Sequence, residues 1–104
     1  MTKQITEELK PLFEPNSIAV IGASNATDKW GNWMVTRPVQ SGYRGHIYPV
    51  NPKEKEVFGL QAYPRIGDIP APVDLAIITV PAAAVPDAMQ ECVAKGIRVA
   101  VVIS

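Results

Sequence analysis

One short stretch, residues 17–31, most constrains the fold of this chain. It reads SIAVIGASNATDKWG, an apolar, β-branched run that stops at Gly22 and continues through small residues to a second glycine, Gly31. The pattern predicts a buried strand, a tight turn and the start of a helix. The first turn of a helix carries unpaired N–H groups and a partial positive charge, and small residues let the backbone approach a ligand closely. The stretch therefore predicts a phosphate-binding turn at the start of a Rossmann-type half.

Further apolar runs alternate with helical patterns along the rest of the chain. Alternating strands and helices are typical of a parallel sheet with right-handed crossovers. We expect an α/β fold with a Rossmann-like, doubly wound, mainly parallel five-stranded sheet in the order 3-2-1-4-5, and a ligand at the carboxyl ends of strands one and four. The predicted strands are Ile18–Ile21, His46–Val50, Val57–Tyr63, Val73–Val80 and Arg98–Ile103, and the predicted helices are Thr2–Phe13, Gly31–Ser41 and Pro86–Lys95.

The composition narrows the class of protein. The 104 residues suffice for a single domain, 47% of them are hydrophobic, and the 10 basic residues balance the 10 acidic ones. Zero net charge gives no broad attraction to nucleic acid or to an anionic membrane, and no apolar run is long enough to span a bilayer. The lone cysteine, Cys92, fits a reducing, cytoplasmic compartment. Because the chain stops directly after the apolar run Val99–Ile103, we expect residues 1–104 to be the N-terminal fragment of a longer multidomain protein.

Several residues carry expectations that involve the fold more than a ligand. Pro38 is expected to kink its helix or to shorten the first half of it. Trp30 and Trp33, three residues apart, are expected to pack together in the core; the alternative is that one of them covers a ligand. His46 lies in a predicted strand and Cys92 on a predicted helix, so we interpret both as structural. The sequence shows no Ser/His/Asp or Cys/His arrangement and no metal-spaced cluster, so we predict no catalytic residue and no metal site in this chain.

The end of the second predicted strand discriminates between phosphorylated ligands. The dinucleotide fingerprint G-x-G-x-x-G is absent after Gly22, and an NAD site would place Asp or Glu where this chain has Asn51-Pro52-Lys53. Either Lys53 is a solvated residue of an exposed turn with Glu54, Lys55 and Glu56, or it binds a phosphate on the adenosine ribose. NADP carries such a phosphate at the 2′ position and coenzyme A at the 3′ position. At the end of the fourth strand is Thr79-Val80-Pro81-Ala82-Ala83. Either Pro81 only ends the strand there, or Val-Pro and the small residues after it leave an apolar shelf that suits an adenine ring or a pantetheine arm. The residues themselves leave both ligands open.

Six motifs in order resemble one family over nearly the whole chain from Phe13. They are FEPNSIAVIGAS at 13–24, KWG at 29–31, GHIYPVNPK at 45–53, GLQAYP at 59–64, VDLAIITVPA at 73–82 and KGIRVAVVIS at 95–104. The set resembles the CoA-binding domain of the NDP-forming acyl-CoA synthetase superfamily. That superfamily includes ADP-forming acetate–CoA ligases, the α subunit of succinyl-CoA synthetase, and protein lysine acetyltransferases that carry this module.

The resemblance implies a coenzyme A site at four places in the chain. The loop after the first strand would contact the phosphates, and the end of the second strand would contact the adenosine and its 3′-phosphate. The end of the fourth strand would line the adenine and pantetheine, and the last two residues would lie near the thiol. The implied cofactor-binding residues are Gly22, Ala23, Ser24, Asn25, Lys29, Trp30 and Gly31 in the loop, then Asn51, Pro52 and Lys53, then Val80, Pro81 and Ala82, and finally Ile103 and Ser104.

The resemblance also implies a reaction and partners. In this superfamily the acyl group passes through an acyl phosphate, and a histidine of a following domain carries the phosphoryl group; His46 does not match that position. We therefore expect the CoA-binding domain of an NDP-forming acid–CoA ligase, with coenzyme A or acyl-CoA as ligand. Its phosphohistidine and ATP-grasp domains would lie outside this chain. The alternatives are a CoA-binding regulatory module of a protein lysine acetyltransferase, a stand-alone CoA-binding protein, and a fragment of an NADP-dependent oxidoreductase.

Overall fold

The computed structural model of the chain describes residues 10–12 and 14–103. Within these ranges, residues 10–12 are helical, and the rest of the predicted helix Thr2–Phe13 lies outside the described residues. The elements are β1 (Ser17–Ile21), α1 (Trp30–Gln40), β2 (His46–Val50), β3 (Glu56–Val57), β4 (Leu60–Gln61), β5 (Leu75–Ile78), α2 (Val85–Lys95) and β6 (Val99–Val102), with single turns of 3₁₀ helix at Ile66–Asp68 and Ala82–Ala84.

A four-stranded parallel sheet forms the centre of the fold, in the order β2-β1-β5-β6. Ile18 of β1 pairs with Ile47 of β2 on one side and with Leu75 of β5 on the other. All residues of β1 are buried, as expected for an apolar strand covered on both faces. The predicted α/β, Rossmann-like class is therefore confirmed. Because β1 lies between β2 and β5, the strand order reverses at β1, and the carboxyl ends of such strands are where a doubly wound sheet binds its ligand.

The predicted third strand, Val57–Tyr63, folds differently. Its first part belongs to the separate antiparallel hairpin β3–β4, in which Val57 pairs with Leu60. Phe58 and Gly59 between them have φ angles of 52° and 77°. Positive φ at both central residues is the geometry of a tight hairpin turn, so the chain reverses here and the segment does not continue as one strand.

Only the end of this segment reaches the main sheet. Tyr63 forms a single parallel bridge with Val50. The Tyr63 amide donates to the Pro49 carbonyl, the Asn51 amide donates to the Tyr63 carbonyl, and both distances are 2.9 Å. The segment thus lies beside β2 but supplies no strand there. The predicted five-stranded order 3-2-1-4-5 is not confirmed, because the sheet has four strands within the described residues.

Two hydrophobic layers pack against the sheet. One contains Ala76 and Ile78 of β5 together with Ala88 and Cys92 of α2. The other contains Val35 of α1 together with residues of β1 and β5. The predicted core position of Cys92 is confirmed, because only 2% of its surface is exposed. Packing of these layers fixes the strands, and the loops at the carboxyl edge of the sheet start from a rigid frame.

Pro38 lies in the last turn of α1 and does not shorten it. The helix continues to Gln40, and the Ser41 amide still donates to the Arg37 carbonyl at 2.9 Å. A proline lacks one amide donor and crowds the preceding turn. Near the end of a helix few later bonds depend on that turn, so the cost is small. The helix is therefore not shortened, and the alternative of a kink at Pro38 stays a prediction.

Candidate functional site

The loop after β1 is pinned to the carboxyl end of β2. The amides of Gly22 and Ala23 both donate to the Val50 carbonyl, at 3.0 and 3.2 Å. Asn51 Nδ2 donates to the Ala23 carbonyl at 2.7 Å. Because these bonds link two strand ends, the first residues of the loop are held across the edge of the sheet.

The end of β5 closes against the same loop. Both the amide and the hydroxyl of Thr79 donate to the Ile21 carbonyl, each at 2.8 Å. Gly22 follows with a φ of +89°, and a Cβ at this position would lie 2.7 Å from Thr79 Oγ1. Any other residue would meet both an unfavourable backbone conformation and a collision, so the turn between these strand ends needs glycine.

Helix α1 begins directly against this turn. A Cβ on Gly31 would lie 2.0 Å from the Gly22 carbonyl oxygen, which only glycine avoids. Asn32 Nδ2 donates to the Ser24 carbonyl at 3.1 Å and holds the first turn of the helix to the loop. Among the described residues, no side chain caps the helix, whose N-cap residue is Lys29. The positive end of the helix dipole and the first amide groups are thus available to an anion.

These contacts leave an open cleft of about 460 Å³, which we name the loop cleft. It is lined by Gly22, Ser24, Asp28, Lys29, Trp30, Gly31, Asn51, Thr79, Val80 and Pro81. All of these except Asp28 and Thr79 belong to the predicted site. The lining joins the glycine turn and a lysine to the side chains of Trp30 and Pro81, so it offers both anion-binding groups and apolar surface.

A second cleft, of about 300 Å³, lies beside the first and shares Gly22 and Val80 with it. It is lined by Ile21, Gly22, Val50, Pro52, Pro64, Arg65, Ile66, Val80 and Glu91. Because apolar residues form most of its wall, we name it the apolar cleft. Two charged residues also line it and form an ion pair, with Arg65 Nε 3.2 Å from Glu91 Oε1. A ligand with both phosphate groups and an aromatic ring would find a suitable surface for each part in these adjoining clefts.

Asn25 joins the loop to the β3–β4 hairpin. Its Nδ2 donates to Glu54 Oε2 at 3.1 Å and to the Glu56 carbonyl at 2.9 Å. Its Oδ1 accepts a hydrogen bond from the Phe58 amide at 3.3 Å. Both ends of the side-chain amide are therefore engaged by protein groups. Asn25 lines neither cleft and holds the hairpin beside the loop, and its predicted contact with a ligand stays a prediction.

Comparison with known proteins decides the family. The family model described as a CoA binding domain matches residues 16–104. The chain belongs to this family. The domain is 50% identical over 97 residues to an ADP-forming acetate–CoA ligase II of Archaeoglobus fulgidus, a match that covers 93% of this chain and 14% of that relative.

Solved structures share the fold of this CoA binding domain. An acetyl-coenzyme A synthetase of Ca. Korarchaeum cryptofilum, in complex with phosphate and ADP, matches with a TM-score of 0.89 at 40% identity, covering 92% of this chain and 21% of that one. A hypothetical protein of Pyrococcus horikoshii matches with a TM-score of 0.78 at 29% identity, covering 96% of this chain and 68% of that one. The domain thus spans a small part of the ligase and of the synthetase, and a larger part of the hypothetical protein.

Some predicted site residues of this CoA binding domain line neither cleft. Ala23 is fully buried beneath the loop, and Ala82 is exposed in the 3₁₀ turn. Ile103 follows β6, where its amide donates to the Ile78 carbonyl at 2.9 Å. Ser104 lies outside the described residues. For these four residues a contact with the ligand stays a prediction.

Pro52 and Lys53 take different positions after β2. Pro52 lines the apolar cleft. The Lys53 amide donates to Asn51 Oδ1 at 2.7 Å, which closes a side-chain turn, and Lys53 itself is exposed and lines neither cleft. The predicted contact of Lys53 with a ribose phosphate therefore stays a prediction.

Trp30 and Trp33 pair as predicted but lie outside the core. Their ring centroids are 5.0 Å apart in an edge-to-face arrangement. Trp30 is 46% exposed and lines the loop cleft, and Trp33 Nε1 donates to the Thr27 carbonyl at 2.7 Å. The predicted core packing is wrong, because neither ring belongs to either hydrophobic layer. Their spacing shows that two rings can meet, but not which face of the helix covers the sheet.

Two residues that line the loop cleft, Asp28 and Thr79, are absent from the implied cofactor-binding residues, although both lie in segments that the sequence analysis selects. Thr79 could have been found, because it directly precedes Val80 at the end of a predicted strand, where parallel strands present their binding residues. Asp28 precedes Lys29, but its negative charge opposes a phosphate ligand, so no pattern favours it.

Two further open clefts, of about 540 and 490 Å³, share no residue with the loop cleft. Within residues 10–12 and 14–103, no group of three or more His, Cys, Asp and Glu side chains is placed to hold a metal ion. No helix in the described part of the chain has the length and apolar character needed to cross a membrane. His46 is exposed at the amino end of β2, where its ring stacks on Tyr48 at 6.0 Å, whereas the loop cleft and the apolar cleft lie at the carboxyl ends of the strands.

Proposed function

We propose that this chain binds coenzyme A and is the CoA-binding part of an ADP-forming acid–CoA ligase. The observation that carries the proposal is the junction of the loop cleft and the apolar cleft at Gly22 and Val80. Coenzyme A has a pyrophosphate, an adenine ring and a ribose 3′-phosphate, so its site needs anion-binding and apolar surface side by side. Membership of the CoA binding domain family and similarity to an ADP-forming acetate–CoA ligase support the same ligand.

In this proposal the pyrophosphate occupies the loop cleft. The close approach of Gly31 to the Gly22 carbonyl brings the first turn of α1 to the cleft, where the helix dipole favours negative charge. Lys29 lines the same cleft and adds a positive charge, which Asp28 partly offsets. Trp30 gives the cleft an apolar side against which the start of the pantetheine arm can pack.

The adenine ring occupies the apolar cleft in this proposal. Pro52, Pro64 and Val80 line that cleft and offer apolar surface for both faces of a flat ring. Lys53 follows Pro52 on the exposed turn, and its flexible side chain would approach the ribose 3′-phosphate from the solvent side. The ribose would then lie between the two clefts, near the residues that line both.

The pantetheine arm would follow Val80-Pro81-Ala82 toward Ile103 and Ser104, and its thiol would meet groups outside this chain.

In the ligase reaction, phosphate attacks the acyl carbon of acyl-CoA, the carbon–sulfur bond breaks, and acyl phosphate and CoA form. A histidine of another domain takes the phosphoryl group and releases the acid, and an ATP-grasp domain transfers that group to ADP. This chain holds CoA for the first step, in a cytoplasm that keeps Cys92 reduced.

A second candidate is a CoA-binding protein without ligase domains. The match that covers 68% of a hypothetical protein favours it, because that protein has little chain left for further domains. The two candidates share one binding site and differ in whether ligase domains accompany it. Assay of the full-length protein for ATP formation from ADP, phosphate and acyl-CoA distinguishes them.

Calorimetric titration with CoA, dephospho-CoA, NADP and NAD tests the binding itself. We expect binding of CoA, weaker binding of dephospho-CoA, and no binding of the two nicotinamide dinucleotides. Lys53→Ala should weaken the binding of CoA much more than the binding of dephospho-CoA. The control is Lys10→Ala, which changes an exposed lysine that lines neither cleft and should leave the affinity for both ligands unchanged. Absence of CoA binding, or equal affinity for NADP, would contradict the proposal; equal losses for CoA and dephospho-CoA would contradict the role of Lys53.

A further inference from the structure

An arginine stands at the apolar cleft, where the sequence predicts no cation. Arg65 follows Pro64, its side chain is 72% exposed, and it lines the cleft together with Pro52. It is the only cation among the described residues that line this cleft. Lys53, the cation that the sequence predicts for the 3′-phosphate, lines neither cleft. The cleft that suits adenine thus has its own positive charge.

The ion pair of Arg65 with Glu91 uses only part of the guanidinium. Nε lies 3.2 Å from Glu91 Oε1, and within the described residues neither terminal nitrogen donates a hydrogen bond. An exposed ion pair contributes little to stability, so Arg65 can change its partner at small cost. A guanidinium can hold a phosphate through two parallel N–H···O bonds, which a lysine ammonium cannot do.

We propose that Arg65 also binds the 3′-phosphate of coenzyme A, on the cleft side of the ribose, and adds to the specificity that Lys53 contributes from the solvent side. On binding, Arg65 exchanges Glu91 for the phosphate of the ribose whose adenine occupies the apolar cleft. Glu91 lines the same cleft and competes for the guanidinium in the free protein. The inference rests on the proposed function, because it takes coenzyme A as the ligand and adds a second residue and the exchange of partners that distinguish it from dephospho-CoA.

Titration of three variants of the full chain with CoA and dephospho-CoA tests this role. For Arg65→Ala we expect about 10- to 100-fold weaker binding of CoA, the range typical of a lost hydrogen bond to a charged group, and unchanged binding of dephospho-CoA. For Glu91→Gln we expect stronger binding of CoA alone, because the competing charge is removed. Arg98→Ala is the matched control, since Arg98 is exposed and lines neither cleft.

The outcomes separate this inference from the proposed function. Suppose that the unchanged chain binds CoA, and that Arg65→Ala either keeps its affinity for CoA or loses affinity for CoA and dephospho-CoA equally. The inference then fails and the proposed function stands. If the unchanged chain does not bind CoA, the proposed function fails and the inference fails with it. Should Arg65→Ala not fold, Glu91→Gln decides: a gain for CoA alone supports the exchange of partners, and no gain overturns it.

Discussion

The carbonyl oxygen of Gly22 lies 2.0 Å from the point where a Cβ on Gly31 would stand. The turn after β1 and the first turn of α1 are therefore in direct backbone contact. A methyl group at residue 31 would have to push the helix away from the turn, because backbone atoms on both sides leave no flexible neighbour to move. This contact determines how near the helix N-terminus comes to a ligand in the loop cleft.

Gly31→Ala is expected to lower the free energy of unfolding by about 1–3 kcal/mol, the usual cost of forcing a group into a packed site. Gly31→Ala should also weaken the binding of CoA, because the first turn of α1 moves away from the loop cleft. Urea unfolding and calorimetric titration measure the two effects. Gly67→Ala is the matched control: among the described residues nothing lies within 4 Å of a Cβ there, so we expect a change within about 1 kcal/mol. Equal effects of the two substitutions would show that the contact does not matter.

Much of the fold could be predicted because it depends on local pattern. The apolar run before Gly22 predicts β1, and the structure has it at Ser17–Ile21, buried throughout. The β3–β4 hairpin could not be predicted in this way. Its turn places Phe58 at positive φ, which a phenylalanine rarely adopts by itself, and the hydrogen bond from the Phe58 amide to Asn25 comes from a distant part of the chain.

The candidate site shows the same division. Gly22, Gly31 and Val80 adjoin strand ends or a helix start, so their positions follow from the predicted elements, and all three line the loop cleft. Arg65 reaches the apolar cleft only because the chain after β4 folds back beside β2 through the bridge of Tyr63 with Val50. Nothing in the residues around Arg65 indicates that tertiary contact.

Trp30→Ala is expected to weaken the binding of CoA with little loss of stability. The side chain is 46% exposed and lines the loop cleft, so its removal takes away ligand contact more than core packing. A lost aromatic contact costs about 1 kcal/mol, or roughly a fivefold loss of affinity. Calorimetric titration measures the affinity and thermal unfolding the stability. Val39→Ala, 41% exposed near the end of the same helix, should leave CoA binding unchanged. A large fall in stability without loss of affinity would show that Trp30 is structural.

Asn25→Ala is expected to loosen the hairpin in the absence of any ligand. The substitution removes the bonds to the Glu56 carbonyl and from the Phe58 amide. Since a hydrogen bond at an exposed position contributes about 1 kcal/mol, exchange of the Phe58 amide hydrogen should become roughly fivefold faster. Hydrogen exchange measured by NMR gives this rate directly. Gln61→Ala, an exposed position in β4, should leave it unchanged. Unaltered exchange in Asn25→Ala would mean that the hairpin holds its place without the loop.

Titration of the buried Cys92 thiol is expected to lower the free energy of unfolding at alkaline pH. Burial, with a smaller contribution from the negative charge of Glu91, raises the pKa of the Cys92 thiol. The folded chain therefore holds the thiol proton more tightly than the unfolded chain does. This contribution to stability is fully present below the pKa of the unfolded thiol, about 8.5, and is lost as the pH rises through the higher pKa of the folded state. We expect the free energy of unfolding to fall over that interval, and the fall to disappear in Cys92→Ala. Urea unfolding across the alkaline range measures this fall.

The control is Tyr43, whose pKa burial also raises from an ordinary value of about 10. Tyr43→Phe should therefore remove only a decline of the free energy of unfolding at higher pH. A decline that begins near pH 8.5 and persists unchanged in Cys92→Ala would show that another group causes it.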